Sequence, residues 1–162
     1  MNSELTAKPL HVRAGNDRFG KNEMKIWGLI PLSIKLSGKD TDGKLFVFEH
    51  RDAAKGRPPR HVHHEQDEWF YVIAGEYAFE IGDEKIRATA GDTLFAPRKI
   101  PHGWANVGDQ LGTLMTLVSP AGTFEEFLID TTRHATLPPP DEVARAFTQG
   151  GMTVVGPPLE IS

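Results

Sequence analysis

His61 and His63 stand two residues apart, Glu68 follows five residues after His63, and His102 comes directly after Pro101. Pro58-Pro59 precedes the histidine pair and a β-rich stretch follows it, so the pair is expected in extended chain. Side chains alternate along a strand with period two, which sends both imidazoles to one face while Val62 and His64 point to the other. Two imidazoles converging from one strand can grip a single divalent ion. Glu68, at the start of the next strand, adds a hard oxygen donor. A mixed imidazole and carboxylate set suits iron, manganese, nickel, cobalt, copper or zinc without choosing among them. A His-x-His pair alone also fits a solvated surface, with His64 and Glu65 in a turn, so the surrounding pattern has to decide.

The elements that would hold these residues are short strands. Leu32, Ile34 and Leu36 alternate with Ser33 and Lys35, Ser37 to Gly43 is a turn cluster, and Leu45 to Phe48 is the next strand. After the histidine pair come Trp69 to Ile73, a turn at Gly75-Glu76, and Tyr77, Phe79 and Ile81 in alternation. Gly82-Asp83-Glu84 and Gly91-Asp92 make further turns, and Leu111 to Val118 closes the series. Evenly spaced short strands with turn signals between them predict an all-β sandwich or barrel. Plentiful Gly (16) and Pro (12) agree with many tight turns.

The chain then changes character. Thr123-Phe124-Glu125-Glu126 has the capping-box form and predicts a short helix carrying Phe124, Phe127 and Leu128. A second helix is expected to open at Asp141 and end at Gly150-Gly151, with an extended piece over Met152 to Val155. We therefore expect a polar N-terminal arm over 1–20, a β domain over 21–120 and a helical extension over 121–162 that belongs to the same domain.

With 162 residues the chain suits one domain that needs no disulfide, and it contains no cysteine, which excludes thiolate metal sites and cysteine nucleophiles. No apolar run is long enough for a signal-peptide core or a membrane span, so a cytoplasmic location is expected. A net charge of -4, spread along the chain, gives no reason to expect nucleic acid or a membrane as partner.

The stretch from Gly56 to Asn106 resembles the two motifs of the cupin family. The first, glycine followed by His-x-His, glutamate and glycine, reads here as Gly56, His61, His63, Glu68 and Gly75, with a leading spacer one residue short. The second reads as Gly91, Pro97, His102 and Asn106, with Lys99 where glycine is usual. The resemblance implies a jelly-roll antiparallel β-barrel or sandwich, a metal held by His61, His63, Glu68 and His102, and a homodimer that pairs barrel edges or exchanges a terminal strand. Lys25 to Leu36 is the candidate for that exchange. The wider chain is similar to single-domain cupins called quercetin-dioxygenase-like. That kinship implies a small enediol- or flavonol-like substrate and makes Glu68 the candidate catalytic base. Redox-neutral isomerisation, decarboxylation or lyase chemistry is the alternative, as is a small-ligand binder without catalysis.

Other residues are assigned more plainly. Trp69, Phe70, Tyr71, Tyr77 and Phe79 are read chiefly as core, with a pocket role open for one face of the first strand. Phe95 and Trp104 flank the second motif and could shape a pocket mouth. His50 and His134 are read as surface histidines. Arg57, Arg60, Arg98 and Lys99 are charges near the motifs that could face an anionic substrate or simply water.

Overall fold

The computed structural model describes residues 8–21, 24–52 and 57–161. Gly56 and the first seven residues of the N-terminal arm lie outside the described residues. Among the described residues the strands are β1 (Met24–Ile26), β2 (Ile30–Leu36), β3 (Phe46–Asp52), β4 (Pro59–His63), β5 (Asp67–Ala74) and β6 (Glu76–Ile81). They continue as β7 (Glu84–Thr89), β8 (Thr93–Ala96), β9 (His102–Asn106), β10 (Gly112–Ser119) and, after helices α1 (Phe124–Thr131) and α2 (Pro140–Gln149), β11 (Met152–Pro158).

These strands make two antiparallel sheets, one ordered β1-β2-β3-β10-β5-β8 and the other β11-β4-β9-β6-β7. The sheets form a jelly-roll sandwich, not a closed barrel. Alternation explains the burial. β10 alternates buried and half-buried residues along its whole length, and on β5 Glu68, Phe70 and Val72 turn inward. Trp69 and Tyr71 point outward from β5 and stack on each other with ring centroids 6.2 Å apart.

The interior divides into two apolar clusters. One gathers Phe70, Val72, Tyr77, Phe79, Leu94, Trp104 and Leu114 between the sheets. The other joins Trp27, Ile34, Phe46 and Phe48 to residues of both helices, among them Phe124, Leu128, Val143 and Phe147. The helices therefore cover one end of the sandwich.

Two helix starts differ from the sequence expectation. Thr123 makes no capping bond to α1, and its hydroxyl instead donates to the Gly150 carbonyl at the end of α2, 3.0 Å away. The long-range bond wins over the local box because the two helices pack together there. The second helix opens at Pro140, capped by Pro139, one residue ahead of Asp141. Proline suits the first helical turn, whose N–H groups have no intrahelical acceptor. Among the described residues, no helix is long and apolar enough to cross a membrane.

Candidate metal centre

β4 begins at Pro59, where the missing N–H costs no ladder bond and the fixed φ favours extended chain. From there His61 and His63 face inward and Val62 does not, as period two requires. His102 on β9 pairs directly with His61 across the sheet, and Glu68 projects from β5 of the facing sheet. All four side chains are buried, and each offers one donor atom within 4.8 Å of the others.

Each imidazole is oriented from behind. His61 Nδ1–H donates to the Pro59 carbonyl at 2.8 Å, His102 Nδ1–H to the Ile100 carbonyl at 3.3 Å, and His63 Nδ1–H to Gln66 Oε1 at 3.4 Å. With Nδ1 so engaged, Nε2 of every ring is the atom turned toward the cluster. Gln66 is itself crowded into place: a Cβ at Gly122, where φ is +51°, would collide with its amide. Phe124 of α1 packs on His63 at 5.2 Å and Phe147 of α2 on His61 at 5.1 Å, so both helices brace the rings.

The turn before β9 keeps the shape its motif needs. Lys99 adopts φ +65° in place of the usual glycine, and its N–H donates to the His63 carbonyl at 2.7 Å.

Glu68 Oε2 lies 2.8 Å from His102 Nε2 and 3.2 Å from His63 Nε2. Burial pushes the carboxyl up, but the bond to His102 and the approach of His63 outweigh it and hold Glu68 well below the usual carboxylate range. Burial, reinforced by the charges of His102 and His63, lowers His61 to about 3, so its ring is neutral at ordinary pH.

Comparison with known proteins agrees with this geometry. Residues 48–118 match the family described as the cupin domain. Over that stretch the chain carries a cupin domain. A segment of 49 residues is 33% identical to an uncharacterized protein of Methanocaldococcus jannaschii, covering 30% of this chain and 39% of that protein's length. In structure it is similar to KdgF from Halomonas sp., at a TM-score of 0.55 and 22% identity over 63% of this chain and 88% of the other. It is similar also to an RmlC-like cupin from Shewanella frigidimarina NCIMB 400, at 0.56 and 21% over 71% and 95%. At these identities the likenesses bear on fold alone.

The donor set can hold a divalent ion. Two donors at about 2.1 Å from one ion lie at most about 4.2 Å apart, close to the spread the four atoms already have. His63 Nε2, fully buried, is near enough to Glu68 for an ion pair yet not aligned for a hydrogen bond. A cation between these atoms would satisfy it.

A cavity of about 860 Å³ opens beside the cluster, and of the four residues His61 and Glu68 border it. Its walls are mainly apolar, with Phe48, Leu128, Val143 and Phe147 among them. Trp104 borders it too, whereas Phe95 is exposed outside. Of the nearby cations, Arg57 lies at this cavity; Arg60 pairs with Glu80 and Arg98 with Asp67, while Lys99 is exposed.

His50 corrects the sequence reading. It is 2% exposed, borders the cavity and stacks on Trp104 at 4.6 Å, whereas His134 is exposed as expected. Burial lowers His50 to about 4, with the Glu68 charge opposing. One signal was available: Phe46, Phe48 and His50 share a strand face, and two buried aromatics imply a buried third position.

Proposed function

We propose that this cupin is a metal-dependent oxygenase acting on a small enediol- or flavonol-like compound. The observation that carries the reading is the large apolar cavity onto which a carboxylate and an imidazole of the buried cluster open. A cavity of this size falls in the range that encloses drug-sized ligands, and its apolar walls suit an aromatic compound better than a small diacid.

His61, His63, Glu68 and His102 would hold the ion. A bound transition metal supplies Lewis acidity and, where it is redox-active, electron exchange with dioxygen. Glu68 borders the cavity and is the one residue of the four able also to accept the proton of a substrate hydroxyl. His102 Nε2 stands 2.8 Å from its Oε2, so the two donor atoms would face the same ion. Phe124 and Phe147 exclude water from the rings, which strengthens every polar contact inside. The reading extends to a cytoplasmic homodimer joined through sheet edges, for which β1 at the rim of the larger sheet is suited.

Elemental analysis of tag-free protein tests the site. Wild type is expected to hold near one equivalent of a transition metal, and His61→Ala and Glu68→Ala to lose most of it. Equal metal in all three after reconstitution would remove the site. Oxygen uptake with flavonols tests the reaction; turnover without oxygen consumption would replace it with isomerase, decarboxylase or lyase chemistry, and binding without turnover with a ligand carrier.

A further inference from the structure

The inward face of the larger sheet carries a diagonal of polar residues across an otherwise apolar surface. In the β3–β10 register Leu114 faces His50 and Thr116 faces Phe48. In the β10–β5 register Thr116 faces Phe70 and Val118 faces Glu68. His50, Thr116 and Glu68 therefore step one pair at a time across three neighbouring strands, each diagonal to the next. Diagonal neighbours on one sheet face lie about 7–8 Å apart. All three border the cavity.

Thr116 is the informative member. It is 1% exposed, and its Oγ1 has no hydrogen-bond partner among the described residues. A buried hydroxyl left unpaired is costly, and valine would fill the same space without that cost. Its neighbours across the sheet, Phe48 and Phe70, offer it no polar atom. Thr116 itself is among the residues that border a cavity large enough for a ligand.

We propose that Thr116 and His50 form a second polar subsite on the cavity wall, which receives a hydroxyl or carbonyl oxygen of the substrate and selects for it among compounds of similar apolar bulk. The idea rests on the cavity being the substrate pocket. The ligand it describes is elongated and aromatic, with one oxygen edge beside Glu68 and a further oxygen reaching toward Thr116. His50, flat against Trp104, closes the far end of the diagonal and can donate or accept there.

Calorimetric titration of the metal-loaded protein with quercetin and with 3-hydroxyflavone, which lacks the additional hydroxyls, is the test. Wild type is expected to prefer quercetin by about tenfold, the worth of a buried hydrogen bond. Thr116→Val should abolish most of that preference while keeping its affinity for 3-hydroxyflavone. Thr116→Ser should restore it, and His50→Phe, which keeps the stacking on Trp104, should reduce it. An unchanged preference in Thr116→Val, with or without a gain in melting temperature, overturns the proposal. A serine variant as impaired as the valine variant does the same, since the methyl group would then be what matters. Wild type that binds neither compound overturns this proposal together with the flavonol reading. Binding with the expected preference but without oxygen uptake supports the subsite and removes only the oxygenase.

Discussion

The two ends of the sandwich are filled differently although some of the same strands run through both. β5 gives Phe70 and Val72 to the solid end and Glu68 to the other; β10 gives Leu114 to the one and Val118 to the other. At the solid end Tyr77 and Phe79 from β6 meet Phe70 across the gap, with Phe70 and Phe79 edge to face at 5.1 Å. At the other end α1, α2 and β11 roof the opening without filling it, which leaves the cavity and the four buried donors beneath. A sheet pair alone settles into close packing. The hollow persists because Phe124 and Phe147 spend their rings on His63 and His61 at its edge.

That contrast can be broken most sharply by truncation. Phe79→Ala at the solid end is expected to cost about 3–5 kcal/mol by denaturant unfolding, since nothing nearby can collapse into the space. Val143→Ala on the cavity wall should cost about 1 kcal/mol, because that side chain already faces a void. Equal losses would mean that the cavity is closed in solution.

Acid should single out the hollow end. His50, lowered to about 4, is neutral in the folded protein while the unfolded chain protonates it below its ordinary value of 6.5. The unfolded state then binds more protons, so stability falls as pH drops from 6.5 towards 4 and is flat with respect to this group above 6.5. The loss from His50 should approach about 3 kcal/mol in metal-free protein, and His50→Phe should make the curve shallower over that window, with His61 supplying the slope that is left. A variant with the wild-type pH dependence would show that His50 is charged or solvated in the fold.

The smallest effect concerns the turn that joins the hollow end to β9. Lys99→Gly should relieve the left-handed strain and stabilise by about 0.5–1 kcal/mol, measured as a rise in melting temperature with unchanged metal content.

Much of this centre was legible in the sequence, and the reasons are local. His61 and His63 share a face by strand period, and the spacings to Glu68 and His102 match a family pattern, so the four residues could be named before any fold was known. What escaped depends on pairing between distant segments. His50 looks isolated in sequence and becomes a cavity residue only when β10 lays Thr116 and Leu114 beside β3. Thr123 carries a capping signature that the structure spends on Gly150, because α2 offers a better acceptor. The sandwich-or-barrel class followed from turn spacing and the jelly roll from the family resemblance, whereas the open cavity followed from helices whose packing no periodicity specifies.

β11 pairs with β4 so that Met152 lies opposite His63 and Val154 opposite His61. On a ribosome, β4 emerges long before β11, and until β11 arrives the histidine-bearing strand has an unpaired border open to water and to other nascent chains. β11 is thus added after the segments that carry all four donors have been made. The strand that covers the border of the histidine pair is therefore made last, and it doubles as the guard of an otherwise open sheet edge.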